Sequence, residues 1–361
     1  MAGVYIHIPF CKSRCQYCDF YSTTQLHRQE EYIDTILREI DIRQTELQSH
    51  DIETIYFGGG TPSLLDPKYV DLVLKKIAYV KHTLSMECTL EANPGDLTPQ
   101  KLLQLRAIGI NRLSIGIQSF NDRLLQLIGR RHNAAQAIQV VHDAQAAGFD
   151  NLSIDLIYGL PTQTMDDWKQ TTQTALDLNV QHISCYCLTY EDNTPLTRLL
   201  EAGKINEIDE DTENEMYDYL CTTLKANGFI HYEVSNFAKP NFQSKHNSNY
   251  WNNTPYIGLG AAAHSYDGLS RSWNPSDLDA YIEGVQAGTL VREQETLTPE
   301  QIHEEQIMLG LRTNQGIDLN LVQPSKAQAW IQRGLLTQQN GRLIATQSGL
   351  HILNCIIEDL L

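Results

Sequence analysis

Three cysteines near the start of the chain have the spacing of a metal-binding loop. Cys11, Cys15 and Cys18 are separated by three and by two residues, and they directly follow the alternating run Tyr5–Ile8. A short strand that ends in such a loop can bring three thiolates to one centre, and ligation by thiolates alone selects iron–sulfur clusters or zinc. A structural zinc site takes four protein ligands, and the sequence has no fourth cysteine or histidine at a plausible local spacing. Three ligands suit a [4Fe–4S] cluster whose fourth iron stays open for a substrate or cofactor.

A run of glycines marks a second candidate binding loop. Gly58, Gly59 and Gly60 precede Thr61 and Pro62 at the expected C-terminal end of the second strand. Consecutive glycines let a ligand approach the backbone closely and leave amide N–H groups free to bind it. A glycine run is as often a structural turn, so the residues by themselves leave both interpretations open.

Polar residues end three successive candidate strands. Glu91, Gln118 and Asp155 share a polar face, and each lies at the C-terminal end of its strand. Barrel enzymes place their functional groups at this end of the strands. Ordinary polarity at the rim of a barrel is the alternative for any one of the three.

A histidine among aromatic residues forms a fourth pattern. His246 lies in the segment Lys245–Trp251, which also contains Tyr250. Such a histidine can ligate heme iron while the rings pack against the macrocycle. A lone histidine is more often a hydrogen-bonded residue of the core or the surface, and the segment alone does not decide between the two.

Repeated units of strand, loop and helix must position these residues. Connections this long and helical imply parallel strands with crossovers, so we expect an α/β fold of six units that forms a partial barrel. Alternate residues of four strands are polar, which predicts a polar, ligand-holding interior. The candidate strands are Val4–Ile8, Thr54–Phe57, Ser85–Ala92, Arg112–Ile117, Asn151–Ile157 and His182–Leu188, and helical stretches lie near 29–48, 67–80, 98–107, 121–147 with a break near Arg130, 166–178 and 209–227.

The rest of the chain divides into two further parts. Residues 1–234 form the predicted barrel domain, and residues 235–296 are expected to be an irregular connecting segment with short strands. A helix at 299–311, a helix at 325–333 and a hairpin around Asn340-Gly341 predict a small winged-helix-like domain over 297–361. Its mixed charges suit a lid or a docking unit rather than a DNA-binding domain.

The composition narrows the partners and the compartment. The 27 basic and 44 acidic residues give a formal net charge of −17, which argues against a nucleic-acid partner because phosphate binding depends on Lys and Arg. The first strand starts too early for a cleavable signal, and no apolar run approaches the roughly 18 residues of a membrane span. We therefore expect a cytoplasmic protein whose eight cysteines are thiols or metal ligands.

Several separate blocks of the sequence resemble the radical S-adenosylmethionine (radical SAM) superfamily. The resemblance covers nearly the whole chain and implies a six-unit partial barrel with a [4Fe–4S] cluster on Cys11, Cys15 and Cys18. The blocks are the cysteine loop with its lead-in Tyr5-x-His7-x-Pro9-Phe10, the glycine run, Glu91–Pro94, Gly116–Asn121, Gly129–His132 and Asp155–Pro161. The implied contacts to S-adenosylmethionine are Tyr5, Tyr17, Gly59, Gly60, Thr61, Glu91, Gln118, Arg130 and Asp155.

Within the superfamily the chain looks like the HemN/HemW group of coproporphyrinogen dehydrogenases and heme chaperones. The dehydrogenases carry a further cysteine two positions after the third ligand and a long N-terminal arm. This chain has Phe20 at that position and starts only a few residues before its first strand. The segment from His246 to Trp251 matches the His-Asn-x-x-Tyr-Trp motif of the chaperones, which implies heme contacts from His246, Tyr250 and Trp251.

The resemblance implies a heme chaperone that takes heme from a donor and delivers it to hemoproteins, with respiratory enzymes at the membrane among the candidates. Oxygen-independent oxidation of coproporphyrinogen III to protoporphyrinogen IX is the alternative function, so enzymatic activity and reductive cleavage of S-adenosylmethionine stay open. A purely structural cluster is disfavoured because the fourth ligand is missing. Dimerisation also stays open.

Overall fold

Six parallel strands form the centre of the computed structural model, which describes residues 2–49, 51–80, 86–289 and 292–361. Neighbouring strands pair in chain order, which confirms the predicted α/β architecture of six units. Ser85, where the sequence predicts the third strand to begin, lies outside the described residues. The strands are β1 (Ala2–Ile8), β2 (Ile52–Gly59), β3 (Glu87–Ala92), β4 (Arg112–Gln118), β5 (Leu152–Tyr158) and β6 (His182–Cys187).

Helices connect these strands and cover the outer face of the sheet. Capping boxes begin two of them at Asn133 and Thr164. The apolar strand faces pack against the helices, so that Leu113 and Ile154 are fully buried. The crossovers contain α1 (Gln29–Ile42), α2 (Gln44–Gln48), α3 (Pro67–Val80), α4 (Pro99–Ala107), α5 (Asp122–Leu127), α6 (Ala134–Ala146) and α7 (Met165–Asp177), with 3-10 turns at Leu26–Arg28, Pro62–Leu64 and Pro94–Asp96.

The polar faces of the strands lie in the interior of the partial barrel. Thr89, Arg112, Ser153 and His182 are each at most 1% exposed, and Ser153 Oγ lies 2.8 Å from His182 Nδ1. The predicted polar interior is therefore present. Its lower part is packed with buried side chains, and a cavity opens at the C-terminal ends of the strands.

Short strands extend the sheet at both edges, and most of them lie within residues 235–296, where the sequence predicts an irregular segment with short strands. At one edge, β9 (Tyr256–Leu259) pairs in parallel with β1, and β10 (His264–Tyr266), β11 (Ser270–Trp273) and β12 (Glu293–Thr296) continue from it in antiparallel order. At the other edge, β8 (Asn236–Ala238) pairs with β6, and β7 (Ile230–Glu233), which precedes the predicted segment, pairs with β8. An uncovered strand edge needs partners for its N–H and C=O groups, and these short strands supply them. The helices of this part of the chain are α8 (Pro195–Glu201), α9 (Glu210–Ala226), α10 (Lys245–Trp251) and α11 (Leu278–Gln286).

The C-terminal part is a smaller unit of helices around an antiparallel sheet, as predicted. Its strands have the order β13-β15-β14, and it has its own core around Ile307, Leu343 and Ile356. No helix in the described residues is long and apolar enough to cross a membrane. The elements are α12 (Pro299–Gly310), β13 (Ile317–Asp318), a 3-10 turn at Leu319–Leu321, α13 (Pro324–Gln332), β14 (Leu336–Gln339), β15 (Arg342–Ala345), α14 (Gln347–Leu350) and α15 (Leu353–Leu360).

Candidate metal and cofactor site

The cysteine loop is held at both of its ends. Phe10, which precedes it, is fully buried and packs edge-on against Tyr32, with 5.4 Å between the ring centroids. Beyond the cysteines, the N–H of Thr23 donates to the carbonyl of Pro9 at 2.6 Å, and the N–H of Cys11 donates to the carbonyl of Thr23 at 2.9 Å. The loop therefore closes on the end of β1, where the chain leaves the sheet.

A cavity of about 460 Å³ lies between this loop and the C-terminal ends of the strands. The structure brings together here nearly all of the residues predicted to bind the cluster and S-adenosylmethionine. The predicted residues on its lining are Cys11, Cys15, Cys18, Tyr17, Gly59, Gly60, Thr61, Glu91, Gln118, Arg130 and Asp155.

The donor set of the loop fits a cluster better than a single ion. No three His, Cys, Asp or Glu side chains in the described part of the chain are arranged to hold one metal ion. In a tetrahedral zinc site the sulfur atoms lie roughly 3.8 Å apart, given Zn–S bonds of about 2.3 Å. Three thiols that line one cavity of about 460 Å³ have room for a larger thiophilic group such as an iron–sulfur cluster.

Burial favours the protonated thiols of Cys11 and Cys18 in the absence of a metal. Burial raises the pKa of Cys18 to about 11 and also raises the pKa of Cys11, whose Sγ lies 3.4 Å from Thr61 Oγ1. Arg130 Nη1 donates to Cys15 Sγ at 3.2 Å and places a positive charge beside the loop. Binding of a metal would displace the protons, because thiolates are the ligating form.

Two carboxylates form the floor of the cavity. Glu91 accepts from Tyr56 Oη at 2.8 Å and from the N–H of Gly59 at 3.2 Å, and burial raises its pKa to about 7. Burial also raises the pKa of Asp155, although Ser114 Oγ donates to its carboxylate at 3.2 Å. Both groups can accept hydrogen bonds from hydroxyl donors, and the pKa of Glu91, at about 7, makes its charge sensitive to a neighbouring charge.

Gln118 reaches the cavity through an irregularity of β4. The pairing of β4 with β5 shifts register between Gly116 and Gln118, and Gln118 has a φ of +70°. A β-bulge at a strand end redirects a side chain, and bulges are frequent beside functional sites. Arg130 donates to the carbonyl of Gly116, which ties this bulge to the loop after α5.

The glycine run is required by packing, and two of its amides are already occupied. Gly59 has a φ of +107°, and a Cβ there would lie 2.5 Å from the ring of His7. A Cβ on Gly60 would lie 2.8 Å from the backbone of Pro9. The N–H of Gly59 donates to Glu91, and the N–H of Gly60 donates to the carbonyl of Ile8. The expectation that these two amides are free for a ligand is therefore wrong in this conformation.

Tyr5 lies outside the cavity lining, although it is predicted to contact the cofactor. Its ring centroid lies 6.2 Å from that of Tyr56 and 6.4 Å from that of His246, and its hydroxyl lies 3.1 Å from His7 Nδ1. Because side chains alternate along a strand, Tyr5 and His7 share the inner face of β1, with His7 nearer to the cysteine loop. Tyr5 therefore fills the barrel beneath the site.

His246 is buried in the barrel at the N-terminal end of the strands, away from the cysteine loop. It is 1% exposed, with Nδ1 2.8 Å from Thr54 Oγ1 and Nε2 3.0 Å from Tyr250 Oη. Burial lowers its pKa to about 3, so the ring is neutral. Glu87 accepts from the N–H groups of Lys245 and His246 and fixes the start of α10. Both ring nitrogens are engaged in this conformation, so heme ligation by His246 would require at least one of these contacts to break.

The two aromatic residues of the motif have different surroundings. The Tyr250 ring lies edge-on to that of His246, with 5.3 Å between the centroids, and packs with it inside the barrel. Trp251 lines a separate cleft of about 380 Å³ beside Gly310 and Ile317 of the C-terminal unit. The predicted heme contacts therefore do not form one site.

Two family models match the chain. The Radical SAM superfamily model matches residues 5–175, and the HemN C-terminal domain model matches residues 297–352. The heme chaperone HemW of Bacillus subtilis is 35% identical over 97% of this chain and 96% of its own length. The chaperone of the same name from Lactococcus lactis is 38% identical over 87% and 82%. The chain belongs to the HemW family of radical SAM proteins.

One solved structure shares the whole fold of this HemW-family chain. Coproporphyrinogen III oxidase (HemN) from Escherichia coli, described as a radical SAM enzyme, aligns with a TM-score of 0.83 over 99% of this chain and 90% of its own. Its sequence identity is 22%, so the match shows the fold alone. It confirms the partial barrel with a small C-terminal domain, and the family membership confirms the resemblance seen in the sequence.

Sequence reasoning missed several residues of the HemW-family site. Tyr56 holds Glu91, Phe20 and Tyr186 line the outer part of the cavity, and Arg112 lies beneath it. Side chains alternate between the two faces of a strand, and this alternation already places Arg112 and Tyr186 on the polar, inner faces. Phe20 and Tyr186 are exposed by 66% and 42%, which no sequence pattern indicates.

Proposed function

We propose that the chain is a heme chaperone that carries a [4Fe–4S] cluster and binds S-adenosylmethionine at the open iron of that cluster. The observation that carries the proposal is the set of three thiols facing one cavity with a floor of Glu91 and Asp155. The name of the Bacillus subtilis relative, heme chaperone HemW, supports the heme part. A heme chaperone needs a heme donor and heme-accepting hemoproteins as partners. The composition of the chain supports a cytoplasmic location.

Some residues of the cavity would bind the cluster, and others would bind S-adenosylmethionine. Cys11, Cys15 and Cys18 would hold the cluster, which in its reduced form supplies the electron that cleaves the sulfonium of S-adenosylmethionine. Glu91 and Asp155 would accept the ribose hydroxyls. Thr61 and Gln118 would hold the polar end of the ligand, Gly59 and Gly60 would let it approach the backbone closely, and Arg130 would meet its carboxylate with a charge-assisted hydrogen bond.

The cluster assignment is tested by Cys15→Ser, with Cys355→Ser as the matched control. Cys355 is an exposed free thiol in α15, outside the lining of the cavity. After anaerobic reconstitution, iron and sulfide content should fall strongly in Cys15→Ser and stay at the wild-type level in Cys355→Ser. Full cluster occupancy in Cys15→Ser would overturn the assignment.

Heme binding is tested by an anaerobic titration of the cluster-loaded protein, followed in the visible spectrum. Saturable binding is expected, and it should persist in His246→Ala because the ring is buried and both of its nitrogens are engaged. Loss of binding in that variant, with the fold intact, would mean that α10 leaves the barrel to bind heme.

The alternative enzyme activity has its own readout. Decarboxylated porphyrin formed from coproporphyrinogen III under reducing, oxygen-free conditions would establish the oxidase in place of the chaperone. Heme binding at one equivalent without porphyrin turnover supports the chaperone.

A further inference from the structure

Arg112 is a buried cation without a direct partner. It begins the inner face of β4 and is 1% exposed. In the described part of the chain, none of its three guanidinium nitrogens has a hydrogen-bond partner. Thr89 pairs with Arg112 in the register of β3 and β4, and its hydroxyl is equally buried and unpaired. Four unpaired polar atoms on two adjacent strands thus mark one small region of the interior.

An isolated guanidinium in such a place needs compensation. Burial of a charge is costly unless opposite charge and hydrogen bonds balance it. Two carboxylates lie nearer to the cavity on the same inner faces of these strands. Glu91 follows Thr89 by two residues on β3, and Asp155 accepts from Ser114, which follows Arg112 by two residues on β4. The positive charge of Arg112 lowers the pKa of both carboxylates, against the larger opposite effect of burial. A charge interaction of this kind can stabilise both sides without direct contact, because the protein interior screens it little.

We propose that Arg112 is a positioning residue of the cofactor site, whose positive charge makes Glu91 and Asp155 better acceptors for the ribose hydroxyls of S-adenosylmethionine. The proposal rests on the S-adenosylmethionine site proposed above. Arg112 itself lies outside the lining of the cavity and acts through the two carboxylates. It is absent from the set of residues that the superfamily resemblance assigns to the cofactor.

Several other titratable or polar side chains surround Glu91 and Asp155, and their charges must be considered beside that of Arg112. Glu91 is surrounded by Tyr56 of β2, by Tyr5 of β1 and by Tyr250 of α10, all of which are neutral phenols around pH 7. Asp155 is flanked by Ser114 and Ser184, by Tyr17 and Tyr186, and by Arg130, a second cation that lies on the cluster side. His182 and His246 also lie within the field of Arg112, and burial keeps both of them neutral. Glu87, two residues before Thr89 on the same face of β3, is a further buried carboxylate, and it accepts from the N–H groups of Lys245 and His246. Arg112 is therefore the cation that lies on the barrel side of Glu91 and Asp155, whereas Arg130 lies on the side of the cysteine loop.

The test is the pH profile of S-adenosylmethionine affinity, measured by equilibrium dialysis on cluster-loaded protein between pH 6 and 9. Arg112→Met removes the charge, which raises the pKa of both carboxylates. The midpoint of the profile should therefore move upward by about one pH unit, a roughly tenfold loss of affinity on the acidic side. Arg112→Lys keeps the charge and should keep the wild-type midpoint. Arg123→Met removes an exposed arginine that pairs with Asp167 and should leave the profile unchanged.

The outcomes separate this proposal from the one on which it rests. Absence of S-adenosylmethionine binding by the wild type would refute the cofactor site itself. A wild-type protein that binds, beside an Arg112→Met variant with uniformly weaker binding and an unmoved midpoint, would reduce Arg112 to a structural residue and overturn the proposal. If Arg112→Met does not fold, Arg112→Lys decides: an unmoved midpoint supports the role of the charge, and a shifted midpoint contradicts it.

Discussion

Gly59 shows how one residue without a side chain shapes the cavity. Gly109 has nearly the same φ, +105° against +107°, but a Cβ there would meet nothing within 4 Å. It is therefore a matched control for backbone strain alone. We expect Gly109→Ala to cost about 1 kcal/mol of unfolding free energy, and Gly59→Ala to cost about 1–3 kcal/mol more because of the clash with His7. Urea unfolding measures both. Equal losses would mean that His7 moves aside freely.

His246 makes the stability of the protein depend on pH. Burial lowers its folded-state pKa to about 3, whereas an unfolded histidine titrates near 6.5, so the unfolded chain binds more protons between these values. The contribution of the neutral ring is complete above pH 6.5 and falls by about 1.4 kcal/mol per unit as the pH drops toward 3. His246→Gln should show a shallower slope of unfolding free energy between pH 6.5 and 4.5 than the wild type does. The exposed residue His303 provides the control variant, His303→Gln, and a His246→Gln slope as steep as the wild-type slope would contradict the prediction.

At the scale of elements, the parallel strands could be predicted because their signals are local. Each of β1 to β6 is an apolar or alternating run with a long helical connection behind it. The carboxyl ends of such strands meet at one edge, which is why Glu91 and Asp155 could be assigned to one site. The strands β8 to β12 have three or four residues each and carry too little periodicity to be recognised. Their pairing is decided by the free edges of β1 and β6, which is a tertiary effect.

The motif of α10 shows a different limit of sequence reasoning. The residue types of His246, Tyr250 and Trp251 suggest a heme site, but the sequence does not say which side of a seven-residue helix faces the barrel. The structure turns His246 inward and places Trp251 at an outer cleft. Prediction from the sequence reaches the same limit at Arg112. The alternation of the strand predicts that Arg112 lies on the polar face, but it does not predict that the guanidinium has no hydrogen-bond partner there.

The added edge of the sheet depends on a buried carboxylate of α1. Glu39 accepts from the N–H of Gly260 at 2.9 Å, from Asn274 Nδ2 at 2.9 Å and from Tyr281 Oη at 2.7 Å, and it pairs with buried Arg43. Removal of the Glu39 carboxylate leaves three buried donors without an acceptor, and the loss is about 3–5 kcal/mol even though Arg43 keeps its second pair with Glu46. We therefore expect a loss of that size in the unfolding free energy of Glu39→Ala, measured by chemical denaturation.

Glu31 of the same helix supplies the control for this prediction. Its carboxylate is about half exposed and pairs with Arg28 at 2.9 Å, and such surface pairs contribute about 0–1 kcal/mol. Glu31→Ala should therefore unfold nearly as the wild type does. Similar losses in the two variants would mean that water replaces Glu39 at little cost, and that β9 and β10 hold their place without it.

At the scale of the whole molecule, the C-terminal unit docks against the barrel through polar contacts. His351 Nδ1 lies 2.7 Å from Asn214 Oδ1, and Gln347 Nε2 donates to Asp218 at 2.9 Å, both across the surface of α9. The unit has its own hydrophobic core, so these contacts orient it rather than fold it. One of its faces is therefore already committed to the barrel, which leaves the others for a lid or a docking role.

The charge of the molecule decides against DNA as the partner of that winged-helix-like unit. Residues 297–361 contain four basic and six acidic side chains within a chain of net charge −17. Because the electrostatic part of DNA affinity comes from Lys and Arg, we expect no saturable binding of a 30-base-pair duplex at 150 mM salt, with a dissociation constant weaker than about 10⁻⁴ M. Fluorescence anisotropy at 20 and 150 mM salt measures this. A steep linear decrease of the logarithm of the binding constant with the logarithm of the salt concentration would reveal several phosphate contacts. The C-terminal unit would then be a nucleic-acid-binding domain.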